Sequence, residues 1–393
     1  MNRFAAAKMA RIHQSGIRRV FEKAHRLEAQ GHKVIHFESG RTDFDTPRPI
    51  KDAAVRAIEK GLVHYTSSMG IPELRTAVAR DFHSRYGIDM DPLSEVLITA
   101  GGSGALIDCL MALVETGDEV IVADPMFLFY RDWAEFMGGK TVFMPLEAEK
   151  GYRISADALE SCVTEKSKVI LLNTPHNPTG SCLDRESLEI VAAKARAHDL
   201  VVVSDECYDR IVYPPNEHLP IAALPGMRER TLTVNSFSKS FAMDGWRLGW
   251  VIGPADLIWE LDKAQQHTVI NATTFVQYGA LAAFDEGDRL IRPMLEEYAA
   301  RRKLAVSMLR TDPKIHFIEP QGAFYLWLKT GLSMDGWELA DMLLEKCHVA
   351  VTPGDEFGPS GKGYLRISYS TPRENVGTGL TRIMEMLSSL RRD

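Results

Sequence analysis

The chain lacks every cysteine pattern that a staple or a metal centre requires. Its five cysteines, Cys109, Cys162, Cys182, Cys207 and Cys347, are scattered, odd in number and never spaced as Cys-x-x-Cys. That argues against a disulfide framework and reads as reduced thiols in a cytoplasmic protein. The twelve histidines include no His-Glu-x-x-His, so no metal is expected. No apolar run is long enough to span a bilayer. Basic residues form no block, and 46 Lys and Arg against 53 Asp and Glu give a net charge of −7, which disfavours nucleic acid and anionic membrane surfaces as partners. Internal repeats and low-complexity segments are also missing. Residues 1–21 contain no acid but several Lys and Arg, a faint likeness to a transit peptide.

What is there is ordinary globular material, with 45% hydrophobic and 25% charged residues over 393 positions. That length predicts a large α/β domain with a smaller satellite. Short β-branched and apolar runs at 95–99, 119–123, 168–173, 200–204, 231–236 and 247–252 alternate with helix-length segments at 104–115, 127–137 and 184–198. This alternation predicts βαβ crossovers and a buried, mostly parallel sheet sandwiched by helices. From 281 to about 310 the pattern predicts one long charged helix leaving that sheet. Beyond it, strands near 323–328 and 363–370 and helices near 337–347 and 373–390 predict a second α/β module completed by the N-terminal arm. The expected partition is 48–283 for the large domain, with 1–47 and 284–393 forming the small one.

The chemistry concentrates in four strings. In Ser236-Phe237-Ser238-Lys239-Ser240, an apolar strand stops at a lysine among hydroxyls, and Arg247 follows two short turns later. A desolvated lysine there can condense with an aldehyde. An arginine beside it can clamp a phosphate, so together they describe a site for pyridoxal 5′-phosphate (PLP). Thr99-Ala100-Gly101-Gly102-Ser103-Gly104 is a glycine-rich turn opening a helix, either a phosphate cradle or a tight connection. It does not match Gly-x-Gly-x-x-Gly, which disfavours a dinucleotide. Asn173-Thr174-Pro175-His176-Asn177-Pro178-Thr179-Gly180 is a rigid loop at a strand's end, where open α/β sheets place ligands. In Val201-Val202-Val203-Ser204-Asp205-Glu206-Cys207-Tyr208 an acid ends an apolar strand and needs a cationic partner. Asp205 and Glu206 compete for that role and point to opposite faces.

Ser-Phe-Ser-Lys-Ser-Phe-Ala-Met-Asp-Gly-Trp-Arg-Leu-Gly-Trp closely resembles the lysine signature of the class I/II, aspartate aminotransferase-like, PLP-dependent aminotransferases, the PLP fold type I group. It departs at Asp244, where relatives carry a small hydroxyl residue. The other strings resemble the same family in the same order. The resemblance implies that Lys239 forms the Schiff base and that Ser236, Gly102, Ser103 and Arg247 serve the phosphate. It implies that Asp205 keeps the pyridine nitrogen protonated and that Tyr208 and Asn177 reach the phenolic oxygen. Phe127 matches the ring-stacking aromatic residue, or else packs into the core of the next helix. Arg366, in Gly363-Tyr364-Leu365-Arg366-Ile367-Ser368, resembles the arginine that binds the substrate carboxylate, and Gly40 the glycine near the substrate. Tyr65 resembles the tyrosine that reaches the neighbouring subunit's phosphate, which implies a homodimer with shared sites.

The implied reaction moves the amino group of an L-amino acid to a 2-oxo acid in a ping-pong cycle. Bacterial aspartate aminotransferases resembling this chain carry a lysine where Ser103 stands, which weakens an aspartate-specific reading. The arginine that the animal-type subgroup brings from its other subunit has no counterpart near 267–274. Arg41 is either a side-chain contact or, preferably, a surface arginine. A broad amino-acid range is therefore expected. A C–S lyase of the same fold is the alternative. A transcription regulator would need a DNA-binding domain ahead of residue 1 and is disfavoured.

Overall fold

The computed structural model describes residues 4–391; residues 1–3 and 392–393, at the ends of the expected small domain, lie outside the described residues. Seven strands form the main sheet, in the order Val96–Thr99, Gly249–Ile252, Thr231–Ser236, Val201–Asp205, Ser167–Asn173, Glu119–Asp124 and Lys140–Pro145. All pairs are parallel except those of Gly249–Ile252, which runs antiparallel to both neighbours. The inner strands are buried on both faces, which is why Glu119–Asp124 and Val201–Asp205 carry consecutive Val and Ile in place of an apolar-polar alternation, while Thr231–Ser236 buries two threonines and an asparagine as well. Lys140–Pro145 is the exception. It sits at the sheet's edge, half-exposed along most of its length, and its polar start hid it from the sequence pattern.

The expected long helix from 281 is two helices. Thr274–Glu286 ends at Gly287, whose φ is +58°, and Arg292–Leu309 begins with Pro293 in its first turn. A positive-φ glycine after the last turn ends one helix, and a proline in the first turn suits the start of the next.

A second sheet is fully antiparallel, in the order Thr352–Pro353, Tyr364–Ser368, Tyr325–Lys329, His316–Phe317. Helices Gly336–Cys347 and Arg373–Leu390 flank it. The N-terminal segment joins this module: Ile35–His36 pairs in parallel with Val349–Ala350, and helix Gly16–Ala29 packs near those strands. One apolar cluster continues from Ile98 and Phe237 on the large sheet, through Tyr298, to Phe324 and Ile367 beside the small one. Among the described residues, no helix is long and apolar enough to cross a membrane.

Candidate active site

Three parallel strands end at Asn173, Asp205 and Ser236, and all three residues line one cavity at the sheet's carboxyl edge. Open α/β sheets place ligands there. Eleven of the twelve candidate site residues line that cavity: Lys239, Asp205, Tyr208, Ser236 and Arg247; Gly102, Ser103 and Phe127; and Gly40, Asn177 and Arg366. Tyr65 does not; it is 80% exposed on its own chain.

Lys239 stands in a one-turn helix, Phe237–Ser240, directly after its strand. Ser236 caps that turn, its hydroxyl accepting from the Ser238 N–H at 3.1 Å and bonding the Ser238 hydroxyl at 2.8 Å. Lys239 Nζ donates to the Gly40 carbonyl at 2.7 Å. Gly40 must be glycine, since a Cβ there would lie 2.5 Å from the Tyr325 hydroxyl oxygen.

Asp205 is buried at its strand's end. Its Oδ2 accepts from the Tyr130 hydroxyl at 2.6 Å and its Oδ1 from the Cys207 N–H at 3.1 Å. Burial pushes the carboxyl above its ordinary range, while the bonds from Cys207 and Tyr130 pull the other way. Glu206, its rival, turns away. It accepts from the Ser204 hydroxyl and pairs with His218, both at 2.8 Å.

Helix Gly101–Leu113 opens beside Arg247 and Ser236. Gly101 has φ +79°, and a Cβ there would sit 2.8 Å from Arg247 Nη2. The guanidinium is thus set against the helix's first turn, with free N–H groups, the positive helix end and two serines around one corner. Those groups suit a phosphate dianion. Phe127 lies in the loop before helix Phe129–Phe136, which starts two residues later than its sequence predicted. It both lines the cavity and packs edge-on against Phe129 and Tyr130, each at 5.4 Å.

At the other end, Arg366 is 1% exposed. Its Nη1 donates to Asn177 Oδ1 at 3.1 Å, and Nη2 donates to the Glu38 carbonyl. The group lies between the rings of Tyr325 and Phe357, 4.7 and 4.8 Å from their centroids. Its Nε has no partner, which leaves donor capacity for a carboxylate. Burial lowers its pKa from the ordinary arginine value. Tyr208 shares a 2.8 Å hydrogen bond with Tyr325.

Three lining residues escaped sequence reasoning. Tyr130 grips Asp205. Asn173 ties the loop down, accepting from the Asn177 N–H at 2.8 Å and donating to the Asp205 carbonyl at 2.9 Å. Tyr325 links Tyr208 to Arg366. Only Asn173 lay within a string that the sequence singled out. Arg41 is exposed, as expected of a surface residue, yet it also lines the cavity. No group of three or more His, Cys, Asp or Glu among the described residues could hold a metal.

Comparison with known proteins agrees with this geometry. A family model for aminotransferase class I and II matches residues 32–383. An aspartate aminotransferase of Pyrococcus abyssi is 39% identical over 96% of both chains. Aromatic-amino-acid aminotransferase 2 of Thermococcus litoralis is 39% identical over 97% of both. The structure of Thermus thermophilus aspartate aminotransferase with maleate superposes with a TM-score of 0.92 at 34% identity, covering 98% of this chain and 99% of the other. A lysine, a buried aspartate and a buried arginine around one cavity are the equipment of amino transfer, and the chain belongs to the class I and II aminotransferases.

Proposed function

We propose that this aminotransferase is PLP-dependent and moves the amino group of an L-amino acid to a 2-oxo acid in a ping-pong cycle. The observation that carries the reading is the opening of Lys239, Asp205 and Arg366 onto one cavity whose far corner is built for a phosphate. The residues fit the cofactor. Arg247, Ser236, Gly102 and Ser103 would hold its phosphate, Phe127 would face its ring, Asp205 its nitrogen, and Tyr208 and Asn177 its phenolic oxygen. When bound, PLP supplies the aldehyde that amines condense with and a ring that takes up electrons from Cα.

The chain's own groups do the rest. Arg366 grips the substrate carboxylate through its fork and fixes the Cα–H bond relative to Lys239. Lys239 Nζ, once free, moves the Cα proton. Asp205 holds a proton at the ring nitrogen, and Tyr130 holds Asp205. The active unit is a cytoplasmic homodimer in which Tyr65 reaches the partner's phosphate corner. Residues 48–283 carry the cofactor, and 1–47 with 284–393 close over the substrate. The side-chain range is broad, as the aspartate and aromatic-amino-acid relatives together suggest.

The test is a half-reaction screen that follows the cofactor spectrum as each amino acid is added. Lys239→Ala should lose the lysine-linked absorbance and slow turnover by at least about 10²-fold, the lower end for losing a general base. A variant with native spectrum and turnover, or ammonia release in place of amino transfer, overturns the reading.

A further inference from the structure

Among the described residues, the cavity wall carries four cations, Lys239, Arg247, Arg366 and Arg41, and two carboxylates, Asp205 and Asp244. The function proposed above uses all of them except Arg41 and Asp244, and these two face each other. Arg41 Nε lies 3.8 Å from Asp244 Oδ2, with side chains 76% and 35% exposed. Asp244 is also the position where the lysine string departs from its family's pattern.

Their backbones are tied to the site, while their side chains are partly exposed. Arg41 follows Gly40, whose carbonyl holds Lys239 Nζ. The Asp244 carbonyl accepts from Arg247 Nη1 at 2.8 Å. The ion pair joining the side chains is longer than a hydrogen bond and partly solvated, so it is weak and exchangeable. Beyond it the cavity adjoins a second groove, to which Arg41 and Ile17 are common. Of the other arginines in that groove, Arg18 pairs with Glu22 at 3.0 Å and Arg19 lies 4.3 Å over the Trp337 ring, while Arg26, on helix Gly16–Ala29, lines the groove but not the first cavity.

We propose that Arg41 and Asp244 read the charge at the far end of the substrate side chain. Arg366 takes the α-carboxylate. A second carboxylate then displaces Asp244 from Arg41, whereas a neutral side chain leaves the pair closed. The predicted class is dicarboxylic amino and 2-oxo acids favoured over neutral ones of equal length, with the neutral ones still accepted. This inference rests on the aminotransferase reading and names the residues that set its substrate range.

The experiment compares native, Arg41→Gln and Asp244→Asn proteins, each loaded with PLP. Calorimetry gives dissociation constants for unreactive chain-matched acids, succinate against butyrate and glutarate against valerate. Half-reactions give rates for aspartate against 2-aminobutyrate and glutamate against norvaline. Arg41→Gln should lower the dicarboxylate preference about tenfold, the scale of one charge-assisted bond. Asp244→Asn should raise it, because the competitor is gone. The inference is overturned alone if native protein turns over amino acids but neither variant shifts the preference, or both shift it the same way. If native protein responds to no amino acid at all, the aminotransferase reading falls and this one with it.

Discussion

Asp205 has hydrogen-bond donors, but it takes part in no ion pair among the described residues. A carboxylate so placed is costly to keep ionised, and its pKa rises accordingly. A protonated pyridine nitrogen would offset that cost, which makes the position suited to a cofactor and poor for stability. Asp205→Asn should therefore keep PLP bound but slow removal of the Cα proton by about 10²-fold or more, as losing a preorganised electrostatic contact does. Loss of deuterium from Cα-deuterated amino acid, followed in a single turnover at full cofactor occupancy, measures it. An unchanged rate would defeat the role. Asp205 itself was legible, because an acid at the end of a strand opened by three valines needs a reason. Tyr130 was not. Its bond to Asp205 joins residues 75 positions apart, and on its own helix it reads as one more aromatic.

Elements were legible where burial imposed a period. Inner strands such as Ser167–Asn173 and Val201–Asp205 announce themselves by runs of Val, Ile and Leu, and helix Arg373–Leu390 falls on its expected bounds. The failures have equally local causes: an edge strand with a polar start, and a helix interrupted at Gly287. The seam between helix Gly16–Ala29 and strand Ile35–His36 was invisible, yet it holds a titratable cluster. His36 bonds Glu38 at 2.9 Å and Glu28 at 3.1 Å, and His25 bonds Glu28 at 2.8 Å. Glu38, first among the causes, raises the His36 pKa from 6.5 to about 9, against burial. A folded-state pKa above the unfolded one stabilises fully below pH 6.5, and that contribution is lost as pH rises through about 9. Thermal unfolding of native and His36→Gln proteins should show a gap that is widest near pH 6.5 and narrows past pH 9. A gap constant across that range would mean that His36 acts by packing rather than charge.

At the scale of the whole molecule, Tyr65 is the candidate that a single chain cannot place. Its segment is tied to the turn before helix Thr274–Glu286, with Asn271 donating to the Thr66 hydroxyl at 3.3 Å and the Thr274 hydroxyl to the His64 carbonyl at 2.6 Å. That turn also exposes Val269 and Ile270. Apolar side chains grouped on a surface suit a second copy of the chain. If Tyr65 serves the partner's site, Lys239→Ala and Tyr65→Arg subunits, unfolded and refolded together, should recover activity. In each hybrid one site collects both defects and the other collects none. With hybrids verified by mass and each parent impaired, the absence of recovery would place Tyr65 outside the neighbouring site.

The antiparallel strand Gly249–Ile252 bears on how the molecule is made. Among the described residues Val96–Thr99 has no other neighbour in the sheet, and Leu97 waits for Val251. On a ribosome adding about 5–20 residues per second, that wait is on the order of ten seconds. Throughout it, a strand whose first three residues are Val, Leu and Ile is a bare template for wrong pairing. The phosphate corner, built from the turn after that strand and from Arg247, cannot close before the wait ends. If the chain takes PLP as proposed, the nascent protein has no use for it until about two-thirds of the chain has emerged, and a truncated product would be a candidate for aggregation rather than a partial enzyme.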